Sequence, residues 1–173
     1  MAVSLYHLTV ATYRQVLPAI EGCLKKAEEH FAANKVDADA VADIRLAPDM
    51  LPFRFQVHSV VHHSQGAIAG LKAGVFSPPP PMPKVGFAGL RQQLAEARAA
   101  VEQATAAEVD ALSGKDMIFS MGELKIPFTA ETFVLSFSLP NFYFHAATTY
   151  DILRAQGVPL GKRDFLGRMQ IKK

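Results

Sequence analysis

Four stretches of this chain repeat apolar residues at three- and four-residue intervals, and that rhythm commits most of its length to helices packed on one another. The first begins after Ser4, a residue suited to cap a helix, and runs to about Asn34 through Leu5, Val16, Ile20, Leu24, Ala27 and Phe31. Pro18 lies within it and predicts a kink. The second follows APDMLPF, where Pro48 and Pro52 disfavour helix in the residues before them. It passes through Val57, Val60, Val61, Ser64, Ile68 and Leu71 and stops at Gly74. The third carries Phe87, Leu90, Leu94, Ala97 and Val101, with Arg91, Gln92, Glu96 and Arg98 off the stripe. The fourth begins near Thr129, is interrupted at Pro140 and ends at Gly157.

The connections are as informative as the helices. SPPPPMP, Ser77 to Pro83, cannot extend a helix and reads as a stiff polyproline spacer. TAAE, Thr105 to Glu108, has the form of a capping box and predicts a short extra helix. After Gly114, in DMIFSMGELKIPF, Leu124, Ile126 and Phe128 alternate beyond Met121-Gly122, which predicts a small β-hairpin. The expected fold is all-α, a four-helix bundle with a small β-hairpin before the last helix, and residues 1–173 are read as a single domain.

Charge and cysteine content narrow the function classes. A net charge of +2 is too small an excess for a phosphate-binding surface, so no nucleic-acid partner is expected. Basic residues gather only in the tail GKRDFLGRMQIKK, at Lys162, Arg163, Arg168, Lys172 and Lys173, which reads as a solvated C-terminal arm. The single cysteine, Cys23, excludes a disulfide within one chain and reads as packing material. MAVSLYHL lacks the pattern of a signal peptide, and no apolar run approaches the roughly 18 residues of a membrane span. The cytoplasm, with no membrane partner, is the expectation.

Of the six histidines, those on the second and fourth helices bear on a site. At about 100° per residue, His62 points away from the second helix's apolar stripe and is expected in solvent. His63 shares a three-four row with Gln56, Val60 and Ala67 and borders the core, and His58 falls in a more polar neighbourhood. His145 lies in a row with Asn141, Thr148 and Ile152 on the fourth helix and also borders the core. Two histidines from different helices could therefore meet inside the bundle. A metal centre with open coordination takes three protein ligands, and a helix supplies two of them best at i and i+4. Around His145 those positions are Asn141 and Thr149, neither a strong ligand for zinc or nickel. Two readings stand side by side: a metal or small-molecule site, or neutral histidines satisfied by nearby tyrosine hydroxyls.

SLYHLTVATYRQVLPAIEGCLKKAEEH, LPFRFQVHSVVHHSQGAIAGLKAG and above all LPNFYFHAATTYDILRAQGVPLGKRDFLG resemble an uncharacterised bacterial family of unknown function within the DinB/YfiT-like four-helix bundles. Better-known members are metal-dependent enzymes, thiol-dependent transferases and isomerases among them. They hold a divalent metal with one helix-two histidine and a His-x-x-x-His pair from a later helix. The resemblance implies a homodimer and puts His63 and His145 at two ligand positions, with Thr149 where the third histidine would stand. The inward geometry of the two histidines, taken with this resemblance, predicts a pocket lined by His63, His145, Thr149, Asn141 and Tyr150. The activity the resemblance implies is at most that of a metal-dependent transferase or hydrolase; the alternative is a noncatalytic ligand-binding or interaction module that has lost the metal.

Overall fold

The computed structural model describes residues 3–82 and 84–172. Pro83, the last residue of the proline run, and Met1, Ala2 and Lys173 lie outside the described residues. Seven helices and three short strands follow in the order α1, α2, α3, β1, α4, α5, β2, β3, α6 and α7 among the described residues. Four are long: α1 over 5–34, α3 over 53–73, α4 (Phe87–Gln103) and α6 over 130–155. Their apolar rows meet in one continuous core that includes Leu17, Leu24, Phe31, Val57, Leu94 and Phe142. The four-helix bundle with its hairpin is thus the observed architecture. Helix α2 (Ala38–Val41) and helix α5 (Ala106–Asp110) are single turns, the latter opened by the expected Thr105–Glu108 capping box.

The hairpin pairs β2 (Asp116–Met121) with β3 (Leu124–Thr129) in antiparallel register, Met121 opposite Leu124, across a turn in which Gly122 takes φ +57°. A third strand, β1 (Val75–Phe76), joins it in parallel, which two residues could not announce in the sequence. Met117 and Phe119 of β2 point into the core, so the small sheet closes one end of the helical layer.

Three of the long helices widen into a π turn: His7–Ala11 in α1, His62–Gly66 in α3 and Val134–Ser138 in α6. Each has a hydroxyl at its third residue. Thr9 donates to the Leu5 carbonyl at 2.7 Å, Ser64 to the Val60 carbonyl at 2.7 Å, and Ser136 to the Thr132 carbonyl. A π turn shifts the backbone bond from the fourth to the fifth residue, and the hydroxyl supplies a donor to the carbonyl four positions back. In α6 this turn precedes Pro140, which has no N–H to give, and the helix continues through it instead of restarting.

The described basic side chains of the C-terminal segment are solvated as expected, but the segment is anchored to the bundle and is not a free arm. After Gly157 caps α6, Val158 and Leu160 enter the core and α7 (Lys162–Leu166) lies on α1. Lys26 of α1 binds Asp164 at 2.6 Å, and the Gln15 amide donates to the Leu166 carbonyl at 2.9 Å. Gly167 then passes over α1 at φ +59°, where an added Cβ would stand 2.9 Å from the Ala19 Cβ and 3.1 Å from the Gln15 carbonyl oxygen. The turn needs glycine for both its conformation and its clearance. Gly167→Ala is expected to lower unfolding free energy by about 1–3 kcal/mol, read as a lower urea midpoint at unchanged m-value.

Candidate functional site

Helices α3 and α6 pack side by side, and the candidate histidines meet on that seam. His63 lies in the π turn of α3 and His145 in the second turn of the α segment of α6, with ring centroids 6.1 Å apart and planes 18° from parallel. His63 is 6% exposed and His145 half-buried. No tyrosine hydroxyl partners either of them among the described residues. The partner of His145 is instead Gln56, about two turns before His63 on α3, whose Oε1 lies 2.8 Å from His145 Nδ1.

That contact fixes the proton. The Gln56 amide nitrogen donates to the Leu51 carbonyl at 2.8 Å, so its oxygen faces His145 and can only accept. The hydrogen-bond network therefore assigns the His145 proton to Nδ1 and leaves the Nε2 lone pair free. His63 has no such support: its Nδ1 is buried without a partner. Burial, reinforced by the neighbouring histidines, pushes the His63 pKa down to about 3, and burial takes that of His145 to about 4. Both rings are neutral at pH 7.

The rings border an open-mouthed cavity of about 160 Å³. Helix α3 contributes Phe55, Ser59, His62 and His63; β1 and the proline segment contribute Phe76, Pro78 and Pro79; β2 contributes Phe119; and α6 contributes Phe137, Asn141 and His145. Among the described residues no Asp, Glu, Lys or Arg lines it.

Three sequence-derived placements need correction. His62 does not face open solvent: its Nε2 lies 2.8 Å from the Ser77 carbonyl oxygen and its ring rests on Phe76 at 4.4 Å. The proline segment and β1 fold back over that face of α3, and the π turn departs from the 100° phase on which the expectation rested. Tyr150 belongs to another surface, packed against Phe165 with centroids 5.9 Å apart and lining a separate cavity with Ala147 and Lys162. Five residues beyond His145 is about 140° around the helix, which carries it off the seam. Thr149 is fully buried beneath the site, but its hydroxyl donates to the His145 carbonyl at 2.8 Å and does not line the cavity. Asn141 does line it, with its amide nitrogen 2.7 Å from the Phe137 carbonyl. Cys23 is wholly buried, and burial raises its thiol to about 11, so it is an unreactive packing residue.

A divalent metal does not fit this set. Among the described residues no group of three or more His, Cys, Asp or Glu side chains is arranged to hold one. The Thr149 hydroxyl at the third position is committed to its own helix, and the rest of the cavity wall is mainly aromatic carbon.

A family model described as domain of unknown function DUF1993 matches residues 5–166. The chain belongs to the DUF1993 family. Among solved structures this DUF1993 chain is similar to a DinB family member protein from Shewanella denitrificans, with 29% identity over 98% of this chain and 95% of that one, at a TM-score of 0.80. No curated protein matches. The bundle of this DUF1993 protein is therefore DinB-like over nearly its whole length. No helix among the described residues is long and apolar enough to cross a membrane.

Residues that sequence reasoning missed are Gln56, Phe76 and Phe119. Gln56 had a signal, since it stood in the His63 row as a polar residue on a core-facing edge. Phe76 and Phe119 had none, because a distant sheet brings them to the seam.

The depressed pKa values give a pH signature. The unfolded chain takes up protons near pH 6.5 that the native histidines refuse, so this part of the stability is complete above about pH 6.5. It is lost as pH falls toward 4 and then 3, with a slope approaching about 1.4 kcal/mol per pH unit for each histidine. His63→Phe keeps the wall aromatic and removes one share of the loss. Urea titrations at pH 7, 6, 5 and 4 should show the variant gaining on the wild type as pH drops; parallel profiles would contradict the assignment.

Proposed function

We propose that this DUF1993 protein is a noncatalytic small-molecule-binding bundle, with its site in the cavity between α3 and α6, and is not a divalent-metal enzyme. The observation that carries this reading is the donor set. His145 is held in one tautomer by Gln56, His63 stands beside it, and the position that would complete a metal triad is occupied by a threonine whose hydroxyl is already used. Two imidazoles in an aromatic wall suit an organic ligand held by shape and one or two hydrogen bonds. They fall short of the three protein ligands that hold an exchangeable divalent ion.

The His145–Gln56 contact also resembles the outer support that orients a metal-bound histidine, in which the far ring nitrogen donates to an oxygen acceptor. That support serves an organic ligand equally well, because it presents Nε2 as a fixed acceptor. The hydrogen bond would survive the loss of an ancestral metal without change.

Elemental analysis of protein purified without a histidine tag tests the reading. Zinc, nickel and other divalent ions are expected well below one per chain, and added zinc or nickel is expected to leave the thermal midpoint unchanged. One ion per chain, lost in both His63→Ala and His145→Ala, would overturn it.

A further inference from the structure

We infer that the cavity between α3 and α6 takes a neutral hydroxyarene, a ligand of the phenol class, whose hydroxyl sits between the two histidines and whose ring fills the phenylalanine-lined space. The inference rests on the small-molecule reading of the same cavity and goes further by naming what it selects. Size, hydrogen-bond polarity and charge select it independently.

Size comes first. A volume of about 160 Å³ is close to the roughly 150 Å³ in which an apolar protein cavity accepts benzene, so a single six-membered ring fills the space beside the histidines. The wall offers ring faces and edges from several directions. Phe119 and Phe137 lie 4.8 Å apart and tilted by 49°, and Phe55 stands edge-on to His145 at 5.8 Å. Such an arrangement favours a flat aromatic guest, because both offset and edge-to-face contacts are open to it.

Hydrogen-bond polarity is set by the two tautomers. His145 has spent its proton on Gln56, so Nε2 can only accept. The buried Nδ1 of His63 has no partner, and a bare acceptor is tolerated there better than an unpaired N–H. The His63 proton therefore sits on Nε2. The pair offers one acceptor and one donor within a single cavity, and a hydroxyl answers both, donating to His145 and accepting from His63.

Charge excludes the alternatives. With no Asp, Glu, Lys or Arg on the wall among the described residues, a carboxylate, phosphate or ammonium would be desolvated without a counter-charge. The neutral form of both histidines at pH 7 agrees with this. A bare hydrocarbon ring would enter but would leave both ring nitrogens unanswered.

The experiment titrates the full chain at pH 7.5 with phenol, benzene and benzoate separately, reading dissociation constants by calorimetry and histidine ring nitrogens by nitrogen-15 NMR. Saturable phenol binding is expected, at least tenfold tighter than benzene, with benzoate weaker than both. The Nε2 resonance of His145 should move from an unprotonated position as phenol binds. His145→Leu should weaken phenol about tenfold, the worth of one hydrogen bond, and leave benzene nearly unchanged. Because the NMR readout uses wild-type protein, the test does not depend on that variant folding. Benzene binding as tightly as phenol, benzoate binding more tightly, or a His145 protonated at Nε2 would overturn the hydroxyarene class while leaving the small-molecule site intact. Failure of all three ligands to bind would overturn the class and count against the site as well.

Discussion

The polar seam between α3 and α6 is the constraint around which this bundle is organised. Apolar rows alone would let two helices slide by a turn at little cost, because one leucine-sized contact replaces another. The seam removes that freedom. The Gln56 oxygen must meet His145, and the Ser138 hydroxyl reaches the His63 carbonyl at 3.3 Å. A shift in register would leave several of these groups desolvated and unpaired, at about 1–3 kcal/mol each. Both π turns at this level lie on the seam, so irregular backbone and polar contacts coincide there.

Much of this was legible in the residues because helical burial writes itself every three or four positions. Phe87, Leu90, Leu94, Ala97 and Val101 are all buried, as their spacing requires, and the same logic placed His63 and His145 at the margin of the core. The rule weakens where the helix ceases to be regular. His62 misled because the π turn changes its phase and because the chain returns over it from Phe76 to Pro79. Tyr150 was attached to the site by closeness in sequence, and helical geometry sends it to the opposite side. The tail was judged by its charge, although Val158, Leu160 and Gly167 are what fasten it. The aromatic wall was beyond sequence reasoning, since Phe76 and Phe119 reach the histidines only through a strand pairing of two residues.

Within this DinB-like frame Thr149, one turn beyond His145, lies behind the cavity wall and does not line it. The hydroxyl turns inward on its own helix, the supporting amide stays, and the imidazoles lose their proton affinity to burial. What is left is a pair of directional hydrogen-bonding groups in an aromatic setting. Fold kinship therefore carries the location of the site farther than it carries the reaction.

The clasp of α7 on α1 has a consequence for how the chain is made. Lys26 and Asp164 are 138 residues apart, and Gln15 and Leu166 are 151 apart. During synthesis at roughly 5–20 residues per second, the face of α1 that α7 covers has no mate until α7 itself has emerged. Helix α1 is thus completed long after it emerges, and its uncovered strip is a surface that a chaperone or a neighbouring nascent chain meets before α7 does.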